Sequence, residues 1–152
     1  FIRHPKWFMR LASLKSLLVL KESNYKALYA TALKDPSMIV RAQALDNITE
    51  LDLKEMAPSV WSMLYDESNY AGSKKALVRT QMIRDVVMAV GHLKFKDAQP
   101  ALLKMINNKQ YSDIFSELDY ALSKLTGKKS PKHSGAKKIY WKKFAVSEQV
   151  II

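Results

Sequence analysis

The sequence contains no cysteine. That removes disulfides, thiolate zinc sites, iron–sulfur clusters and a cysteine nucleophile, and it leaves the compartment open, since a thiol-free chain is stable in either redox environment. Glycine and proline are scarce, at 4 and 5 of 152 residues. Few positions therefore break regular structure, and the many Leu, Ala, Lys and Met residues favour helices over short strands and tight turns. Four scattered glycines build neither a G-x-G-x-x-G fingerprint nor a P-loop. Long apolar runs are missing too. The stretch Leu11 to Leu20 follows Arg3, Lys6 and Arg10 as in a signal peptide, but Lys15 interrupts it and no small-residue cleavage site follows. It reads as a folded helix, and no segment offers the roughly 20 apolar residues that span a bilayer. The chain begins at Phe1, the start expected of a processed protein or of a piece cut from a longer one.

What is present is enough apolar residue, 48% of the chain, for one domain with a continuous core. The formal net charge is +11 and is unevenly spread. Residues 127–152 carry seven lysines against Glu148 alone. Such a balance favours nucleic acid, anionic lipid or an acidic protein surface.

Internal repetition is the main signal. Phe8-Met9-Arg10-Leu11-Ala12-Ser13-Leu14, Ile39-Val40-Arg41-Ala42-Gln43-Ala44-Leu45 and Leu77-Val78-Arg79-Thr80-Gln81-Met82-Ile83 align, each with an Arg and an apolar residue one helical turn later. The stretches Leu51 to Pro58 and Leu93 to Pro100 align as well. The arginines at 41 and 79 are 38 apart and the prolines at 58 and 100 are 42 apart. The difference, about one helical turn, predicts a longer first helix in the third unit. Asp35-Pro36-Ser37 offers a turn and a cap, and Pro58 and Pro100 fit the first turn of their helices, where a missing N–H costs little. The expected helices cover residues 5–20, 24–34, 37–50, 54–66, 73–91, 97–108 and 112–126, with a short one at 137–145.

These residues resemble a known family. Asp35 to Leu45 looks like the first helix of a HEAT repeat, with its D-x-x-x-x-V-R-x-x-A-L pattern, and Gly91-His92-Leu93 through Leu103 looks like the link into a second helix. Ala121 to Gly127, with Trp141 and Phe144 beyond, is similar to the last repeat of many bacterial HEAT-repeat proteins. The resemblance covers about residues 5–126. It implies an all-α fold, an α-solenoid of about four helical hairpins over residues 1–126, followed by a basic loop and a short C-terminal capping helix over 127–152. It also implies packing and hydrogen-bonding roles for Val40 and Arg41, and by alignment for Val78 and Arg79. It names a fold and no partner.

Constellations for catalysis are weak. His4, His92 and His133 are scattered, and none has the helical spacing of a metal site; His92 reads as a polar residue in a hairpin link. Ser23-x-x-Lys26 and Ser134-x-x-Lys137 satisfy a serine–lysine pattern without any companion motif. Asp46 and Glu50 sit one turn apart and read as a solvated face. HEAT-like alkylpurine DNA glycosylases hold a base between Trp and Asp, but Trp61 and Asp66 are about 140° apart on a helix. The expectation is a non-enzymatic protein–protein interaction scaffold with no cofactor, using the second-helix face at Tyr25, Tyr29, Trp61 and Tyr65. The alternative is a nucleic-acid-binding module with Lys128, Lys129, Lys137, Lys138, Lys142 and Lys143 on phosphate. Lys74, Lys75, Arg79, Arg84, Lys94 and Lys96 on the side of the tail would favour that alternative. Against it, Ile139, Tyr140, Trp141 and Phe144 are expected to cover the open end of the fold, with the lysines facing water.

Overall fold

A computed structural model describes residues 1–22 and 24–152. Ser23, and with it the first serine–lysine pattern, lies outside the described residues. The chain is mostly helical, with eight α-helices among the described residues, taken here two by two in chain order: α1 Trp7–Val19 and α2 Lys26–Ala32, α3 Met38–Glu50 and α4 Ala57–Ser62, α5 Gln81–His92 and α6 Gln99–Ile106, α7 Phe115–Thr126 and α8 Ser134–Ser147. The first helices pack in succession, α1 on α3, α3 on α5 and α5 on α7, and α8 lies against α6.

Local chemistry explains most boundaries. Pro58 and Pro100 occupy the first turn of α4 and α6, each entered through a short 3₁₀ turn. The first helices all stop at a left-handed residue: Lys21 (φ 53), Asp52 (φ 51), Lys94 (φ 57) and Gly127 (φ 69). At the first three the backbone closes in the Schellman pattern, for example Leu53 N–H to Ile48 O at 3.0 Å with Asp52 N–H to Thr49 O at 3.2 Å. Helix α8 closes in the same way at Gln149 (φ 57), with Val150 N–H to Ala145 O at 2.9 Å.

The expected helix over 73–91 is corrected. Tyr70–Ser73 and Ala76–Arg79 form a two-stranded antiparallel hairpin, β1 and β2, and α5 starts only at Gln81. Val78 is exposed on a strand, not buried like Val40. The third unit has no longer first helix; α5 has 12 residues where α3 has 13. Arg84, 43 positions after Arg41, is the better counterpart, within one residue of the 42 separating the prolines.

One continuous cluster forms the core, from Leu14 through Val40, Ile48, Val60, Val86 and Leu102 to Leu122 and Trp141. Burying each such side chain contributes about 1.5–3 kcal/mol. At Gly91 a Cβ would meet the Cα of Ala121 at 2.4 Å, so the missing side chain lets α5 and α7 touch through their backbones.

Arginines stitch neighbouring pairs. Arg10 grips Asp35 with two N–H groups, at 2.6 and 2.8 Å, and donates to the carbonyls of His4 and Pro5. Arg41 repeats the scheme while buried: it donates to Asp35 O, Pro36 O, Ser68 O and the Asn69 side chain. Arg79 and Arg84 both reach Asp113 at the next joint. Ser37 does not cap α3 with its hydroxyl; Asp35 accepts the Ser37 N–H instead. Burial alone would raise the Asp35 pKa, but the donors from Arg10 and Ser37 outweigh it and hold the carboxyl below its ordinary value.

Candidate interaction groove

The first helices leave a groove across their common face, open to solvent and enclosing about 950 Å³. Each helix contributes a stripe at helical spacing: Gln43, Asp46 and Glu50 from α3, Asp85, Met88 and His92 from α5, Tyr120 and Lys124 from α7, with Leu18 closing the α1 side. The α3 and α5 stripes are in register, each residue followed 42 positions later by its counterpart. None of these six side chains is spent on the core. His92 is therefore not in a link but is the last residue of α5, its Nε2 4.0 Å from the Asp52 carboxylate.

The groove mixes charges: Asp46, Glu50, Asp52 and Asp85 line it together with Lys54, Lys94, Lys124 and His92. Burial, then the nearby charges of Asp85 and Glu50, raise the pKa of Asp46 above its ordinary value. Asp85 accepts a hydrogen bond from Gln81 Nε2 at 2.9 Å. Lys54, Lys94 and Lys124 line the same groove, and none of them forms an ion pair with Asp46, Glu50 or Asp85 among the described residues. Asp46 and Glu50 were expected to be a bland solvated face; the helix α5 opposite makes them part of a cavity.

The predicted aromatic set is divided by the structure. Tyr65 is 74% exposed and meets half-buried Trp61 edge-on, with ring centroids 6.1 Å apart, while Tyr25 is 41% exposed. Tyr29 is a correction. It is fully buried, its hydroxyl accepting a 3.4 Å bond from Asn47, so it belongs to the core and cannot meet a partner. The Trp61 and Asp66 pair is equally split: Asp66 is engaged by the Ser68 N–H and hydroxyl, and Trp61 packs toward Phe95.

The C-terminal lysines also divide. Lys128, Lys129, Lys138, Lys142 and Lys143 are exposed, and Lys128 lies over the Phe144 ring at 5.4 Å. Lys137 is a correction, because it pairs with Asp119 at 3.1 Å and is used internally. Asp119 also accepts from Trp141 Nε1 at 2.8 Å and Ser130 Oγ at 2.6 Å. Helix α8 begins at Ser134 rather than 137 and docks through Trp141 and Ala145, both fully buried. Ile139, expected to cover the fold, is exposed instead. The second basic set does not join the tail: Lys74 and Lys75 form the hairpin turn, Arg79 and Arg84 bind Asp113, Lys94 lines the groove, and Lys96 donates to Leu125 O.

Among the described residues, no group of three or more His, Asp or Glu side chains is arranged to hold a metal ion, and no helix is long and apolar enough to cross a membrane. Fold and groove together define the class: a mostly helical, all-α chain with an open, mixed-charge cleft. Compared with known proteins, the chain matches no family model, no curated protein and no solved structure.

Proposed function

We propose that the chain is a non-enzymatic protein-interaction scaffold, a HEAT-like solenoid of four helical hairpins, whose partner lies along the first-helix groove. The packing of α1 on α3, α3 on α5 and α5 on α7, the left-handed ends of these helices and the arginine ties at successive joints support the solenoid reading. The groove itself carries the functional reading: a cleft touching all four first helices, where Asp46, Glu50, Met88 and His92 are exposed. This moves the working surface away from the second-helix aromatics, where only Tyr65, Tyr25 and part of Trp61 reach solvent.

A peptide-display selection against the chain tests this. Enriched peptides whose binding is lost with Met88→Arg and kept with Tyr65→Arg support it. No enrichment, or enrichment indifferent to Met88→Arg, overturns it.

A second reading, polyanion binding by the tail, is favoured by the exposure of Lys128, Lys129, Lys138, Lys142 and Lys143. It requires an affinity for nucleic acid that falls steeply with salt, about tenfold or more between low and physiological ionic strength. No binding at low salt removes it.

A further inference from the structure

We infer that the outward face of α1 docks on an anionic lipid surface, on which the chain lies without crossing it. Residues 1–21 hold five Lys and Arg and no Asp or Glu. Of the five, Arg10 is spent on Asp35, while Arg3, Lys6, Lys15 and Lys21 form no ion pair among the described residues. Apolar side chains stand exposed along the same stretch. Val19 is 80% and Leu20 69% exposed, and Trp7 and Phe8, both about half-exposed, meet edge-on with ring centroids 6.0 Å apart. The one fully buried residue of α1 is Leu14. On an α-helix Phe8, Ala12, Lys15 and Val19 fall within about 60° of one another and about 100–160° from Leu14. All four are exposed, so α1 carries apolar groups on its outward face as well as its inward one. Single exposed apolar residues need no partner, but a strip of them on one helix face is what an interaction surface presents.

Charge and side-chain type select the occupant. Lys6 lines one open hollow with Trp7 and Phe8, and Lys15 lines another with Val19 and Leu20, so each apolar pair has a cation beside it. An interfacial helix is built this way: aromatic and aliphatic groups enter the headgroup boundary, while lysine stems lie along it and place their ammonium groups on lipid phosphates. Tryptophan favours the same depth. A second copy of the chain fits poorly. Face to face, it sets Lys6 and Lys15 against their own counterparts; stacked on the other end of the helical series, it meets the exposed Lys138, Lys142 and Lys143 of α8. Nucleic acid would leave Val19 and Leu20, which offer no ring to stack on a base, in water.

The experiment floats the whole chain with vesicles of phosphatidylcholine alone, or of phosphatidylcholine with about 30 mol% phosphatidylserine, at low and physiological salt. Binding to the anionic vesicles is expected to be at least about tenfold stronger than to the neutral ones, and to weaken as salt rises. Phe8→Ser with Val19→Ser, and separately Lys6→Gln with Lys15→Gln, each checked for native circular dichroism, are expected to weaken it about tenfold. Leu77→Ser with Val78→Ser on the hairpin, and Lys142→Gln with Lys143→Gln on α8, are expected to change it by less than about twofold. No binding to either vesicle, which hands the face to a protein, overturns the inference. So does equal binding to both vesicles, or binding indifferent to Phe8→Ser with Val19→Ser. A loss in the α8 variant as large as that in the α1 variants overturns it too, because the tail would then be the lipid contact.

Discussion

The first helix pair, α1 and α2, and the last, α7 and α8, occupy the two ends of the chain's helical series and are held in different ways. In the first pair only Leu14, Tyr29 and Ala32 are buried, while Trp7, Phe8 and Val19 stand in solvent. Polar ties add to its packing on α3 and the turn before it: Arg10 to Asp35, and Asn47 to the Leu14 carbonyl at 2.7 Å. The last pair buries Leu118, Ala121, Leu122, Leu125, Trp141 and Ala145, and Asp119 locks three donors from the segment that follows it. Apolar burial is cooperative and insensitive to salt, whereas polar ties at an exposed end open locally. The C-terminal end is therefore the anchored one, and the N-terminal end frays first.

The largest effect separates two tryptophans. Trp141→Ala removes a fully buried ring and leaves Asp119 short of a donor, so urea denaturation should lose about 3–5 kcal/mol. Trp7→Ala, at a half-exposed ring, should stay within about 1 kcal/mol. Equal losses would erase the difference between the ends. Next comes Gly91→Ala, whose new methyl group collides with the Ala121 backbone; about 1–3 kcal/mol should be lost in the same measurement, with α7 and α8 loosened together. A neutral result would mean α5 and α7 are not in backbone contact.

Acid sharpens the comparison. Burial alone would raise the Asp119 pKa, but Ser130, Trp141 and Lys137 outweigh it, and the folded value lies below the ordinary one, as for Asp35. Each carboxylate therefore contributes stability present above the unfolded pKa, near 4, and lost as pH falls through the folded value. Melting temperature should drop on acidification below about pH 4, and Asp119→Asn should flatten that drop. An unchanged acid profile in the variant would take Asp119 out of the account. The smallest effect has the opposite sign. Asp46 has a raised folded pKa, so its ionisation costs stability above that value and nothing below the unfolded pKa. Asp46→Asn should raise the melting temperature slightly at neutral pH, and a fall would show that its charge is already compensated.

Much of the helical organisation was legible because its signals are local. Proline positions, the Asp35-Pro36-Ser37 turn and the apolar stripes place α1 to α4 and α6 to α7 within a few residues. The β-hairpin was missed because Leu77-Val78-Arg79 resembles Ile39-Val40-Arg41 in residue type, while the turn at Lys74-Lys75 leads its exposed Leu77 and Val78 into a strand. Tyr29 and Tyr65 look alike in sequence; only the packing of Asn47 and Leu14 around one of them separates core from surface. The groove was hidden for a related reason. The i, i+4 pair Asp46 and Glu50 is visible on its own helix, but Asp85 lies on another one, and no periodicity within α3 reveals what faces it.

Hydrogen–deuterium exchange of the chain with and without a selected peptide tests the central claim most directly. The account predicts added protection on α3 and α5 around Asp46, Glu50 and Met88, with Trp61–Tyr65 and α8 unchanged. Protection confined to Trp61–Tyr65 or to the lysines of α8 would contradict it.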